Sequence, residues 1–255
     1  VQVELSTAPS AAQRDLPYGS FDIDKGVDHL QMMGVRYYMA TSESAIAQAR
    51  SHPDLTADAS SGPRVRPEAA DSPLVEPLVN EPAVVEGLDG SHADWVELPR
   101  DELDRFGGPA IRWFTDPARW SVPIAESGPP GWQRIGRDEV PEVRPLEAVE
   151  VREVEFEDER IRFEVDQVGV PVLVKVSYFP NWRATGAEGP WRVAPNFMVV
   201  VPTDTHVRLE FGRSGTDLAF TGVTLVAIVL AVVAIVRGPM RFDPRPERPS
   251  AQDPA

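Results

Sequence analysis

Cysteine is absent from the 255 residues, which excludes disulfides, a thiolate nucleophile and any Cys-based zinc site. Lysine is nearly absent too. Of the 25 basic residues only Lys25 and Lys175 are lysines. Against 40 acidic residues the net charge is −15, so the basic stripe that a nucleic-acid partner needs is missing. The four histidines, His29, His52, His92 and His206, lack the His-x-x-His or His-Glu-x-x-His spacing of a zinc site. There is no Gly-x-Ser-x-Gly elbow and no phosphate-binding glycine loop. These absences leave no catalytic residue to name, and no metal or cofactor is expected. Arginine in place of lysine, with abundant Ala, Pro and Val, points to a high-GC bacterial genome.

Charge is missing altogether from Leu218 to Val236 (LAFTGVTLVAIVLAVVAIV). As a helix this stretch is about 28 Å long, enough to cross a bilayer core. A helix at a protein surface would carry a polar face. Here only Thr221 and Thr224 are polar, and their hydroxyls can bond back to their own helix. The expected span includes Leu218, Gly222, Ala227, Ala231, Ala234 and Val236. Ala227, Ala231 and Ala234 fall at i, i+4 and i+7, within about 60° of one face, where neighbouring spans could pack closely.

Arg237, Arg241, Arg245 and Arg248 follow the span and favour a cytoplasmic tail. The expected location is the bacterial cytoplasmic membrane, head outside and tail in the cytoplasm. The N-terminal residues (VQVELSTAPSAAQRDLPYGS) show neither a basic start nor an apolar h-region. Upstream spans of the same protein are therefore expected before Val1. The alternative is a tail anchor with a cytosolic head.

In chain order, residues 1–20 read as an extended lead-in and 21–73 as a small α/β unit. Within it, Gly26 to Gly34 reads as a helix, Val35–Ala40 as a strand, and Glu43–Arg50 as a helix capped by Ser42. Strands follow around Leu55–Ala59 and toward Ala70. Residues 74–145 read as an irregular connection, since frequent Pro and Gly exclude long helices. Arg100 to Phe106 suits one helical turn or two, and Val84-Val85 suits a strand. From 146 to 212 the period becomes two: Val149, Val151, Val154, Phe156, then Ile161, Phe163, Val165, then Val172, Val174, Val176 and Tyr178 alternate with polar residues. Phe197–Val201 and Val207, Leu209, Phe211 continue the run. This predicts an antiparallel β-sandwich. The expected fold is α+β, the small α/β unit followed by the sandwich, then a single C-terminal transmembrane helix (213–236) and a disordered cytoplasmic tail (237–255).

Three clusters carry chemistry. Trp95, Trp113, Trp120 and Trp132 either line a sugar-binding cleft, since pyranose rings stack on indole, or pin an irregular segment to the domain. Asp22-Ile23-Asp24 is a carboxylate pair of the kind that holds a divalent ion, or a helix cap. The acids Glu150 to Asp166, interleaved with Arg152, Arg160 and Arg162, read as a solvated sheet face, with a calcium site as the alternative.

The most distinctive stretch is Ser177-Tyr178-Phe179-Pro180-Asn181-Trp182-Arg183-Ala184, followed by Gly189, Trp191 and Asn196-Phe197-Met198. It resembles the membrane-proximal end of large bacterial polytopic proteins of the GT-C glycosyltransferase-like group. That group includes the YfhO-type and the 6-pyruvoyl-tetrahydropterin-synthase-related membrane proteins. The helix followed by Gly34-Val35-Arg36-Tyr37-Tyr38-Met39-Ala40 is also similar to their soluble region, and the likeness spans residues 20 to 236. The resemblance implies a membrane enzyme transferring sugar from a lipid-linked donor in cell-envelope glycan assembly. Its catalytic acids lie near early spans that this chain does not contain. Tyr178, Trp182, Arg183 and Trp191 then read as a glycan platform, as headgroup-level aromatics, or as a device closing the hairpin. Expected partners are the lipid bilayer, the upstream spans, and glycan or a lipid-linked sugar. Two other classes remain: a membrane-anchored glycan- or protein-binding module, and a tail-anchored cytosolic interaction protein.

Overall fold

The computed structural model describes residues 22–35, 38–39, 42–58, 64–67, 73–96, 108–212 and 215–237. Within these, the side chains at 38–39, 57–58, 64–67, 92–93, 215–218, 221 and 234 lie outside the description. The expected helical turn at 100–106, the lead-in and the tail beyond 237 also fall outside it. Contacts gather the chain into two units, Val1–Gly212 and Arg213–Ala255.

The first unit is α+β. Helix α1 (Ile23–Met32) begins where Asp22 accepts the Lys25 N–H at 3.2 Å, a side-chain cap on an orphan donor. Gly34, at φ +68°, ends it, and the Val35 N–H reaches back to the Leu30 carbonyl at 2.8 Å. The helix starts before the expected Gly26 because Asp22, the first acid of the Asp-x-Asp pair, is the cap. Helix α2 (Glu43–Ser51) is capped by Ser42, whose Oγ accepts the Ala45 N–H at 3.2 Å. Val27 and Leu30 meet Ala45, Ala49 and Leu55 in a small core. Strands β1 (Tyr38–Met39), β2 (Leu55–Asp58) and β3 (Arg64–Pro67) form an antiparallel sheet in the order β1-β3-β2.

A larger sheet has seven strands. It comprises β4 (Val75–Pro77), β5 (Ala83–Val85), β6 (Ile124–Ala125), β7 (Arg134–Ile135), β10 (Val172–Val174), β12 (Ala187–Val193) and β13 (Phe197–Pro202). Their order is β4-β10-β13-β12-β6-β5-β7. The pairings are antiparallel except for β5 with β6 and β5 with β7, which are parallel. Residues 74–145, expected as a connection, thus supply four strands to the same sheet as the later chain. Each is two or three residues long, too short for a period to show between prolines. Helices α3 (His92–Val96) and α4 (Pro109–Thr115) cover this part, packing Trp95, Trp113 and Phe114 onto Val85, Ile124 and Ile135.

The third sheet, β11-β14-β9-β8, is wholly antiparallel: β8 (Val151–Glu157), β9 (Arg160–Val165), β11 (Trp182–Thr185) and β14 (His206–Phe211). Its inner face and one face of β10 and β13 form the expected sandwich. Ile161, Phe163, Val165, Val207 and Leu209 meet Val172, Val174, Met198 and Val200. The other face of β10 and β13 is buried as well, with Leu173, Phe197 and Val199 against Leu78, Val84, Trp132 and Val193. That double burial explains the unbroken apolar run Phe197–Val201.

One strand departs from the expected alternation. A bulge between Arg152 and Glu155, with Glu153 at φ +49°, shifts the β8 register, and Val154 and Phe156 are 40% and 42% exposed. The extra residue absorbs the step of three from Val151 to Val154, so Phe156 faces the core residue Ile161 as Val151 faces Val165; its exposure comes from β8 being the outer strand of its sheet.

In the second unit, α5 (Gly215–Arg237) is a continuous helix of 23 residues, about 34 Å long. Each of its described side chains is exposed. Over the described residues alone, no helix is long and apolar enough to cross a membrane. The two interior positions whose side chains are left out are a threonine, 221, and an alanine, 234.

Candidate functional site

A cavity of about 360 Å³ opens beside the β4 edge of the seven-stranded sheet. Met32, Leu78, Leu173 and Phe197 form apolar wall, Trp113 and Trp120 give aromatic wall, and Glu76, Asn80 and Lys175 are its polar members. The two indoles lie 6.1 Å apart at 36°. Both indole N–H groups are spent on the backbone: Trp113 donates to the Val122 carbonyl (3.0 Å) and Trp120 to the Trp113 carbonyl (2.9 Å). The rings therefore offer a ligand their faces and edges, not their donors. His29 supports Trp120 edge-on at 5.1 Å, and its Nδ1 and Nε2 lie 2.7 and 2.9 Å from the carbonyls of Lys25 and Phe114.

Lys175 follows β10, its side chain 4% exposed, with Nζ 3.1 Å from Glu76 Oε2. The pairing offsets the large cost of burying a lone ammonium. Asn80 donates to the Ser121 carbonyl at 2.7 Å. Aromatic faces beside a paired ammonium, a carboxylate and an amide suit a small hydroxylated or amphiphilic molecule in a pocket of this size. Sequence reading passed over Lys175, Glu76 and Asn80. A signal existed: Lys175 is the one charge in the apolar run Val170–Val176, in a chain with two lysines.

A second polar cluster lies at the β12–β13 turn. Arg192, its side chain 6% exposed, donates from Nε to Asn196 Oδ1 at 2.7 Å, lies 3.9 Å from Glu126, and stands over the Trp95 ring at 5.5 Å. Burial lowers the Arg192 pKa, opposed by the Glu126 charge. Burial raises the Tyr178 pKa, and Glu126 adds to the rise while Arg192 opposes it. Trp95 donates to the Pro195 carbonyl at 3.0 Å in the same corner. Neighbouring strand, turn and helix are tied together there, a structural role.

The residues expected as one aromatic platform stand with different partners. Trp182 meets Phe211 edge-to-face at 5.3 Å. Trp191 meets Trp132 at 5.5 Å on the seven-stranded sheet. Tyr178 is half-buried against the sandwich core and Arg183 is exposed. Of the four tryptophans between 95 and 132, Trp95 and Trp132 are core residues, while Trp113 and Trp120 also line the cavity. On α5, Gly222, Ala227, Ala231 and Val236 are exposed, and the side chains of Leu218 and Ala234 lie outside the described residues. Thr224 donates to the Phe220 carbonyl at 2.9 Å, the back-bond expected of it.

Several acids on and beside β8 and β9 face arginines, while Glu164 lies 3.0 Å from His206 Nε2. Arg162 pairs with Glu155 at 3.3 Å, Arg160 with Glu157 at 3.1 Å and Glu210 at 3.0 Å, and Arg152 with Glu150. Asp22 caps α1, while Asp24 lies 3.2 Å from His52 Nε2. Among the described residues no group of three or more metal-ligating side chains gathers. No protein-family model, no curated protein and no solved structure matches the chain.

Proposed function

We propose that this chain is the extracytoplasmic C-terminal portion, last transmembrane helix and cytoplasmic tail of a GT-C glycosyltransferase-like protein of the bacterial cytoplasmic membrane. It acts in cell-envelope glycan assembly and is itself non-catalytic. One observation carries the reading: α5 is 23 residues of continuous helix, and its described apolar side chains face outward. Water is a poor solvent for such a helix, because each exposed Val, Leu or Ile forgoes about 1.5–3 kcal/mol of burial. A bilayer supplies that burial around the whole circumference. Thr221 and Ala234, the positions that interrupt the described run, carry no charge, so Leu218–Val236 is uncharged throughout in sequence. The arginines after Val236 set the orientation, and the Tyr178–Ala184 stretch supports the family likeness.

These 255 residues have no cysteine, so single cysteines placed among them report topology once any cysteine elsewhere in the reading frame is replaced by serine. In cells expressing the whole reading frame, Ser91→Cys should react with an impermeant thiol reagent and Ser250→Cys should not. The reverse pattern overturns the orientation. Further apolar spans upstream of Val1 in that frame support the polytopic parent; a start codon at that point contradicts it.

The cavity favours a second reading, a membrane-anchored glycan-binding module. Trp113 and Trp120 offer stacking faces beside Glu76, Asn80 and Lys175, the pairing of aromatic face and polar groups that suits a sugar ring. Titration of the detergent-solubilised chain with mono- and disaccharides, read by intrinsic fluorescence, should then show saturable binding that Trp120→Ala removes. No response to any sugar removes this reading.

A further inference from the structure

The segment between β10 and β11 closes on the last residues of β14. Asn181 holds Gly212 twice: the Gly212 N–H donates to the Asn181 carbonyl, and Asn181 Nδ2 donates to the Gly212 carbonyl, both at 3.0 Å. Trp182 is the cross-strand partner of Phe211, their rings edge-to-face at 5.3 Å. Phe179 meets Phe211 from another side at 6.2 Å and 86°. Phe179 is nonetheless 52% exposed, so this aromatic cluster is open to its surroundings. Only residues 213 and 214 follow the clamp before α5 begins, a spacer reaching at most about 11 Å.

We propose, on the reading that α5 crosses a bilayer, that Phe179, Trp182 and Phe211 form the seat on which the head meets the lipid headgroup layer. Aromatic rings favour that layer, and Trp above all, because an apolar body and a polar tip are both satisfied there. Arg183, exposed beside the cluster, can extend toward lipid phosphates.

Charge narrows the kind of contact. The β8–β9 turn lies at the same end, where the Phe211 N–H donates to the Glu159 carbonyl at 2.8 Å, and it carries Glu157, Asp158 and Glu159. With a net charge of −15, the protein gains nothing from an anionic surface. The seat is therefore an apolar and aromatic contact at the glycerol level, independent of anionic lipid. In this account the Tyr178–Ala184 stretch fixes how the chain enters the membrane.

The test uses the full chain in phosphatidylcholine liposomes, with one spin-labelled cysteine at a time. Ile228→Cys reports the bilayer core, and Val143→Cys, on an exposed loop residue, reports water. Phe179→Cys and the adjacent exposed Pro180→Cys report the seat. The expected result is loss of access to an aqueous nickel chelate at both seat positions relative to Val143→Cys, with oxygen access between those of the two controls. Replacing part of the lipid with phosphatidylglycerol should leave this unchanged. If Ile228→Cys is in lipid while both seat labels behave like Val143→Cys, the seat is wrong and the membrane reading stands. If Ile228→Cys is itself in water, the membrane reading fails and the seat fails with it.

Discussion

In β10 and β13, Val172, Val174, Val199 and Val200 are 0% exposed; in α5, Val223, Val226 and Val229 are 65%, 60% and 60% exposed. The same side chain is handled in opposite ways by the two units. In the head, apolar residues are removed from water by strands buried on both faces, each valine contributing about 1.5–3 kcal/mol. Among the described side chains of α5 no polar face takes their place, and the proposed reading supplies an apolar surrounding instead. Apolar content alone does not define the head's core. What defines it is a partner for each apolar face, and on the proposed reading lipid is the partner of α5.

A charge placed in each unit breaks the comparison most sharply. Val174→Asp buries an unpaired carboxylate between the sheets and should cost the head about 4 kcal/mol or more, read by denaturant unfolding of the chain in detergent micelles. Val229→Asp should leave that unfolding curve unchanged and instead lower membrane insertion by about 2.5–3.5 kcal/mol, read as the inserted fraction. Equal effects on head stability would erase the distinction.

A backbone position tests the head alone. Gly186, in the β11–β12 turn, has φ +78°, and a Cβ there would meet the His206 carbonyl oxygen at 2.2 Å. Gly186→Ala should cost at least about 1–2 kcal/mol from the left-handed conformation alone, with more from the clash. A thermal-unfolding midpoint unchanged from wild type would contradict the turn.

The half-buried Tyr178 gives a pH signature that α5 cannot share. Burial, then the Glu126 charge, raises its pKa above the ordinary value near 10. The folded state keeps this proton longer than the unfolded chain does. Its contribution to stability is therefore complete below pH about 10 and is lost as pH rises from there through the folded value. Tyr178→Phe should flatten that alkaline loss; an identical pH profile for the variant would remove Tyr178 as its source. The smallest effect belongs to the solvated face. Glu153→Gln, on an exposed bulge residue, should change stability by about 0.5 kcal/mol or less, and a larger loss would mean that β8 is covered.

Much of the sandwich was legible because its signal is periodic. Ile161, Phe163 and Val165, like Val207 and Leu209, alternate in sequence and point into the core. The Ser42 cap was legible because capping is local. The seven-stranded sheet was not, since four of its strands are two or three residues long and come from a proline-rich stretch. The bulge left a mark in the sequence, the step of three from Val151 to Val154 in a run of period two, but the exposure of Val154 and Phe156 follows from β8 lying at the sheet edge, which only the topology shows. The cavity joins Met32, Asn80, Trp120 and Lys175, residues far apart in the chain with no shared spacing. The Tyr178–Ala184 stretch stood out by its residue types. That Asn181 grips Gly212 is a long-range hydrogen bond and became visible only in three dimensions.

The central claim, that α5 resides in a bilayer, is tested most directly by alkaline washing of membranes from cells expressing the full chain, beside a Val226→Arg, Val229→Arg double variant. The wild type should remain in the membrane pellet at pH about 11, while the variant, with two charges at the helix centre costing roughly 5–7 kcal/mol of insertion together, should move to the supernatant. Release of the wild type with the variant would contradict the account.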